Sequence, residues 1–224
     1  MELSYEVFII KDESITKNNV YFIVDIETKN AAIVDPACNM EQVNNIVRSK
    51  GVILKTILIT HVHTDHIRSV NDIVNQYNSN VYISKREADV YSYCCKNLIT
   101  FDDNDEILIE KTKVTCMITP GHTAGSSCFL VTNGLFAGDT VFIEGCGNCT
   151  ENGGSALDMY CSILRIKKQV GDSVLVYAGH TYHYLPGKPI SFLKENNIYF
   201  LIENKEEFIE FRMRKDQKHL LDFK

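Results

Sequence analysis

The chain has 224 residues, of which 45% are hydrophobic, enough to bury the core of a single domain spanning residues 1–224. Its formal net charge of −6 argues against a general nucleic-acid binder, and no apolar run is long enough to cross a bilayer. The first residues do not form a basic region followed by an apolar core, so we expect a cytoplasmic protein with no membrane partner.

The first half of the chain predicts alternating strands and helices. Runs of β-branched and aromatic residues between polar turns predict strands at 5–10, 20–26, 31–34, 52–59 and 81–83. Apolar residues at helical spacing predict helices at 40–50, 67–77 and 86–95. Gly51 is expected to end the first of these helices.

The second half predicts a further set of strands and two helices. The strands are expected at 107–110, 114–118, 128–132, 135–137, 174–177 and 198–202. Asn133-Gly134 predicts a hairpin, and helices are expected at 155–170 and at the C-terminal end. Strands followed by βα alternation in each half predict two sheets with helices outside.

Eight cysteines in a chain without a secretory signal are expected to be reduced thiols. Cys146 and Cys149 form a CxxC, which without a second pair gives little support to a structural zinc site. Cys94 and Cys95 are expected on a helix face.

Three of the seven histidines and one aspartate fall within six residues, directly after the predicted strand at 52–59. They are His61, His63, Asp65 and His66. Imidazole and carboxylate are ligands of zinc, manganese and iron, and a strand end holds such side chains in a fixed geometry. The spacing therefore predicts a metal site rather than solvated loop residues.

Three further candidate ligands, His122, Asp139 and His180, each follow another predicted strand. A glycine directly precedes each of them, and glycine permits the close approach that aiming a side chain from a tight turn requires. We therefore expect four strand ends to converge at one sheet edge.

These segments resemble the metal motifs of the metallo-β-lactamase fold superfamily. They are His61-Val62-His63-Thr64-Asp65-His66, Pro120-Gly121-His122-Thr123, Gly138-Asp139-Thr140 and Gly179-His180, with Asp35-Pro36 as a further match. The resemblance implies an α/β fold, a four-layer αββα sandwich with metals in a cleft at the sheet edges. It implies one metal held by His61, His63 and His122, a second held by Asp65, His66 and His180, and Asp139 bridging them. The implied cofactors are two Zn²⁺ ions, with iron or manganese as alternatives.

The stretch after the bridging aspartate narrows the resemblance. Gly145-Cys146-Gly147 is similar to a turn shared by glyoxalase II and the persulfide dioxygenases, although those families usually continue with a basic residue where this chain has Asn148. Gly145-Cys146-Gly147-Asn148-Cys149, Gly179-His180-Thr181-Tyr182 and residues 207–214 more closely resemble small zinc-dependent hydrolases of bacterial polyketide biosynthesis. That resemblance implies an acyl thioester substrate on the phosphopantetheine arm of an acyl carrier protein.

The implied reaction is attack on the thioester carbonyl by a metal-bridging hydroxide, since metal binding lowers the pKa of water to about 7. Asp65 is expected to orient the hydroxide as well as to bind metal. The Tyr182 hydroxyl either donates to the substrate carbonyl or belongs to a packing residue. Cys146 is expected to shape the turn beneath Asp139, and His183 to lie outside the ligand set.

Several alternatives stay open. One is glyoxalase II-like hydrolysis of small-thiol thioesters, although no region after His180 matches the helical glutathione-binding part of that family. Another is a persulfide dioxygenase with one iron held by His61, His122 and Asp139. A third is a metal-containing binding protein without catalysis. The basic residues near the C-terminus form either a solvated helix face or a surface that steers an acidic carrier protein; they are Arg212, Arg214, Lys215 and Lys218.

Overall fold

A computed structural model describes residues 4–11 and 18–215 of the chain. Its first sheet has six strands in the order β1-β2-β3-β4-β5-β6. The strands are β1 (Tyr5–Lys11), β2 (Asn19–Asp25), β3 (Asn30–Val34), β4 (Ile53–Leu58), β5 (Asn80–Ser84) and β6 (Leu98–Phe101). The first three strands pair antiparallel and the remaining pairs are parallel, which places helices in the connections.

The second sheet also has six strands, in the order β12-β11-β10-β9-β8-β7. They are β7 (Glu106–Ile109), β8 (Thr112–Ile118), β9 (Ser127–Val131), β10 (Gly134–Gly138), β11 (Leu175–Ala178) and β12 (Lys188–Pro189). The predicted hairpin at Asn133-Gly134 is confirmed, because β9 and β10 pair antiparallel across it. β10 and β11 are parallel, and α5 (Ala156–Gln169) lies between them in the chain.

Helices cover the outer face of each sheet. On the first sheet these are α1 (Met40–Lys50), α2 (Thr64–Ile67), α3 (Val70–Tyr77) and α4 (Lys85–Tyr91). The second sheet is covered by α5 and by three C-terminal helices, α6 (Ile190–Asn196), α7 (Ile198–Leu201) and α8 (Lys205–Arg212). Gly51 ends α1 with a left-handed φ of 61°, as predicted.

Three apolar clusters separate the four layers. Side chains such as Tyr21, Phe129 and Phe136 fill the space between the sheets. Val43 of α1 packs with the first sheet, and Met159 of α5 packs with the second. The predicted αββα sandwich is therefore confirmed, with each sheet buried on both faces.

Several predicted elements differ from the structure. The predicted helix at 67–77 begins only at Val70, as α3, and Ile67 belongs instead to the end of the separate short helix α2. The predicted helix at 86–95 ends at Tyr91 because Ser92 adopts a left-handed φ of 51°, so Cys94 and Cys95 lie beyond the helix and not on its face. The strand expected at 198–202 is wrong; these residues form α7, a single turn capped by the Asn197 side chain. β6, β12 and α6 were not anticipated.

All eight cysteines lie within the described residues, and no disulfide joins any of them there. Within the described residues, no helix combines the length and apolar character needed to cross a membrane.

Candidate metal centre

The seven predicted ligands lie at strand ends of both sheets. His61, His63, Asp65 and His66 follow β4 of the first sheet, whereas the other three follow β8, β10 and β11 of the second sheet. The prediction that all four strand ends lie at the edge of one sheet is therefore wrong. Because the two sheets stack face to face, strand ends from both of them meet at one end of the sandwich.

The first group of candidate ligands comprises His61, His63 and His122. One ring nitrogen of each lies within 4.8 Å of the others, and His63 Nδ1 is 3.0 Å from His122 Nε2. His122 Nδ1 lies 2.8 Å from the carbonyl oxygen of Asn148, which can only accept. His122 Nδ1 therefore carries the proton, and its Nε2 lone pair faces the other two imidazoles.

The second group comprises Asp65, His66 and His180, whose ligand atoms also lie within 4.8 Å of one another. His66 Nε2 is 3.3 Å from His180 Nε2. Asp65 Oδ2 is 3.7 Å from His66 Nε2 and 3.6 Å from His180 Nε2. Two nitrogens and one carboxylate oxygen thus converge on one point.

Asp139 lies between the two groups. Its Oδ1 is 3.4 Å from His66 Nε2, and its Oδ2 is 3.2 Å from His180 Nε2 and 3.6 Å from His122 Nε2. One carboxylate therefore reaches both groups, which is the position that a bridging ligand requires.

The donor atoms fit a pair of divalent cations. Thr60 Oγ1 donates its proton to Asp35 Oδ2 at 2.6 Å, so the His61 Nδ1 that lies 3.0 Å from it must be the donor. His61 Nε2 consequently has a lone pair, and among the described residues it is buried without a hydrogen-bond partner, as is Asp139 Oδ1. Buried hydrogen-bond acceptors without a partner are rare. Nitrogen and oxygen atoms with such lone pairs are suited to binding a metal ion.

Charge at the centre favours neutral imidazoles at His61 and His122, whereas His66 keeps its proton beside the carboxylates. Burial, followed by the neighbouring His66, holds the pKa of His61 well below its usual range, and burial also lowers the pKa of His122. Burial acts against the charged form of His66 as well, but Asp139 and Asp35 outweigh it and raise its pKa to about 9. A metal cation competes with that proton for the same negative environment.

Asp35 orients the second group, a role that the sequence did not disclose. It is buried in a left-handed conformation with φ 46°, a strained arrangement for a residue other than glycine. Its Oδ1 accepts from Thr60 N at 2.8 Å, and its Oδ2 lies 3.1 Å from His66 Nδ1. Asp35 thereby fixes the His66 ring with Nε2 toward the centre, where loss of the Nε2 proton would free a lone pair for a metal.

Other supporting contacts join segments that are distant in the chain. Asn18 Nδ2 donates to the Asp65 carbonyl at 2.9 Å. The buried Glu87 carboxylate accepts from Val62 N, Thr123 Oγ1 and Gly125 N at 3.0, 2.8 and 2.8 Å, and so ties the His61 and His122 turns together. No sequence signal points to Asn18 or Glu87, and Glu87 lies on α4, whose sequence has no pattern that marks a functional residue.

The glycines before the ligands are required by close approach, as predicted. A Cβ at Gly179 would lie 2.4 Å from Asp139 Oδ1, and a Cβ at Gly138 would lie 2.3 Å from Thr60 Oγ1. Gly138 also has a φ of 47°.

Residues outside the seven ligands have distinct surroundings. The Tyr182 ring is half-buried, 5.2 Å from Phe142 and 6.1 Å from His180 by ring centroids. Burial and the nearby Asp139 raise the pKa of Tyr182, so its hydroxyl keeps its proton. His183 is exposed and belongs to neither ligand group. Burial raises the pKa of the Cys146 thiol, which disfavours a nucleophilic role.

The basic residues near the C-terminus do not form the solvated face that was one expectation. Arg212 is buried and donates to Tyr199 Oη at 2.8 Å, so it cannot face a partner. Arg214 stacks on Phe211 with its guanidinium 4.2 Å from the ring centroid, and Lys215 is exposed. Lys218 lies outside the described residues.

The four-layer sandwich and its paired histidine and aspartate groups define a site that could hold two metal ions. The chain belongs to the metallo-β-lactamase superfamily, whose family model matches residues 16–180. It is 43% identical over its full length, and over the full length of the relative, to the probable polyketide biosynthesis zinc-dependent hydrolase PksB of Bacillus subtilis. It is also 31% identical to a hydroxyacylglutathione hydrolase of Prochlorococcus marinus, over 81% of this chain and 72% of the relative. Among solved structures, ETHE1 from Myxococcus xanthus superposes with a TM-score of 0.83 at 27% identity, covering 92% of this chain and 89% of that one.

Proposed function

We propose that this protein is a zinc-dependent hydrolase of acyl thioesters, and that its substrates are acyl groups on the phosphopantetheine arm of a carrier protein in polyketide biosynthesis. The single observation that carries the proposal is the Asp139 carboxylate within 3.6 Å of imidazoles from both ligand groups. The full-length similarity to a relative named as a polyketide biosynthesis hydrolase supports the pathway.

In this proposal His61, His63 and His122 would hold one metal, and Asp65, His66 and His180 would hold a second. Asp139 lies within reach of both groups. Bound zinc supplies Lewis-acid polarisation of a carbonyl and a water of lowered pKa. The Asp65 carboxylate, beside His66 and His180, would orient the attacking water by accepting its proton in a hydrogen bond. The protonated Tyr182 hydroxyl donates to the substrate carbonyl.

Leaving-group chemistry favours a thioester over an amide. A thiol has a pKa of about 8.5, so its thiolate departs at neutral pH with little proton assistance. An amine leaving group needs a general acid, and Tyr182, with its raised pKa, is a poor proton donor for that step.

Recognition of the carrier protein would involve the basic residues near the C-terminus. Among those C-terminal basic residues that the structure describes, Arg212 is buried. Arg214 and Lys215 are left to steer an acidic partner. The proposal that the acyl group is bound to a carrier protein is therefore supported by the chemistry of the substrate and by the named relative.

The test is a panel of acyl thioesters of pantetheine, of glutathione and of a phosphopantetheinylated carrier protein, assayed for free thiol. Wild-type protein stripped of metal and reloaded with zinc is compared with Asp139→Ala. We expect thiol release that disappears on chelation, returns with zinc and falls at least about 100-fold in Asp139→Ala, because losing the shared carboxylate leaves both metals incompletely held. Equal release by stripped and reloaded protein would contradict the proposal.

Two alternatives have different outcomes in the same panel. Hydrolysis of glutathione thioesters alone would indicate glyoxalase II-like activity, which the 31% identity to a hydroxyacylglutathione hydrolase favours. Oxygen consumption with a persulfide would indicate the one-iron dioxygenase, although the complete second group of Asp65, His66 and His180 favours two metals. Zinc binding without turnover of any substrate would indicate a binding protein.

A further inference from the structure

The C-terminal helices pack behind the loop that carries Asp139. This loop, residues 139–149, runs from the end of β10 through the Gly145-Cys146-Gly147 turn. The superfamily match ends at residue 180, so α6, α7 and α8 lie beyond it. Their contacts with the loop therefore join the matched part of the chain to a segment beyond the family match.

Asn197 makes the central contact. It lies between α6 and α7 and is completely buried. Its Nδ2 donates to the carbonyl oxygens of Phe142 and Gly145, both at 2.9 Å. Its Oδ1 accepts from Tyr199 N at 2.9 Å, so one amide side chain uses both of its protons and its oxygen.

The two carbonyls that Asn197 holds belong to the same turn as the ligand Asp139. Phe142 N donates to Gly145 O, and Gly147 N donates to the Asp139 carbonyl, each at 2.9 Å. The Phe142 ring lies 5.8 Å from the His180 ring and 5.2 Å from the Tyr182 ring by centroids. A shift of this turn would thus move Asp139 and release the aromatic contact that backs His180.

Arg212 of α8 reinforces the same turn. Its Nη1 donates to Tyr199 Oη at 2.8 Å and reaches the Cys146 carbonyl at 3.4 Å. The hydrogen bonds of Asn197 and Arg212 therefore fall on three carbonyls within five residues, those of Phe142, Gly145 and Cys146.

We propose that Asn197 is a positioning residue of the metal centre, and that the C-terminal helices hold the Asp139 loop in its ligand-binding geometry through it. The inference rests on the proposed metal site. It assigns a role in metal binding to a residue that contacts none of the seven ligands.

The experiment compares Asn197→Ala with Ile190→Ala, a variant of another completely buried residue in the same C-terminal segment. Zinc affinity is measured by competition with a chromophoric chelator, and amide hydrogen exchange at Phe142 and Gly147 is measured on metal-free protein. We expect Asn197→Ala to weaken zinc binding about tenfold, as loss of an outer-shell partner does, and to accelerate exchange at both amides. Ile190→Ala should lower stability without either effect.

The exchange measurement separates this inference from the proposed function. If wild-type protein bound no zinc, the proposed function would fail, and exchange in the loop would still decide the role of Asn197. Unchanged exchange and zinc affinity in Asn197→Ala, or equal changes in Ile190→Ala, would overturn the inference. Should Asn197→Ala fail to fold, Tyr199→Phe decides instead. It removes the hydroxyl that anchors Arg212, and we expect faster exchange at Gly147, with no change counting against the proposal.

Discussion

At Gly179 the backbone passes so close to the metal centre that a single methyl group displaces ligands. An alanine Cβ there would lie 2.4 Å from Asp139 Oδ1 and 2.9 Å from His66 Cε1. We expect Gly179→Ala to lower zinc affinity about 10- to 100-fold, the range seen when ligand orientation is disturbed. Gly171→Ala is the matched control, since its Cβ would meet nothing closer than Val174 Cγ2 at 3.9 Å. Zinc content after dialysis against chelator measures both, and equal content in the two variants would refute the steric argument.

Single residues also show what the sequence can predict about the site. His61, His63 and His66 were recognisable because ligand types repeat at short spacing after a strand. Asp35-Pro36 matches a superfamily motif, but neither the contact of Asp35 with His66 nor the role of Glu87 follows from the sequence, because each carboxylate acts on partners 25 or more positions away. Supporting residues of this kind become visible only when the fold brings the segments together.

At the scale of elements, the start of α1 offers a test of stability that is independent of the metal. Asn39 Oδ1 accepts from Gln42 N at 3.0 Å, and Gln42 Oε1 accepts from Asn39 N at 3.2 Å, which forms a capping box. Asn39→Ala should lower the free energy of unfolding by about 1 kcal/mol, while Asn39→Ser, which keeps a capping oxygen, should change it little. Urea unfolding measures the difference. A serine variant as unstable as the alanine variant would show that the cap is not the cause.

Helices and strands with regularly spaced apolar residues or a clear terminating residue are predictable from the sequence, and short ones are not. The bounds of α1 follow from its apolar spacing and from Gly51. By contrast, residues 198–201 combine β-branched and aromatic residues that suit a strand, yet the Asn197 cap and burial of Tyr199 and Phe200 turn them into one helical turn. Tertiary packing determines the secondary structure of such short segments, and that packing cannot be inferred from a single sequence.

At the scale of the whole molecule, the candidate metal centre joins two sheets that also meet through their apolar faces and through hydrogen bonds such as that from Tyr21 Oη to the Ala178 carbonyl. Zinc that binds only the folded chain stabilises it by about 2.7 kcal/mol at a free concentration 100 times Kd, which for a domain of this size raises Tm by about 5–10 °C. We expect this rise for the wild-type protein in a thermal melt and little of it for Asp139→Ala. A Tm that did not respond to zinc in the wild type would contradict ligation from both sheets.

The order of the strands has one more consequence. The first sheet uses residues 5–101 and the second uses residues 106–189, so the chain completes one sheet before it begins the other. Four of the seven candidate ligands belong to the leading portion of the polypeptide and three to the trailing portion. If the backbone were severed within the connection at 102–105, each fragment would keep its own strands and an incomplete coordination set. Zinc would then hold two separately produced fragments together, and the extent of their association would depend on the concentration of free zinc.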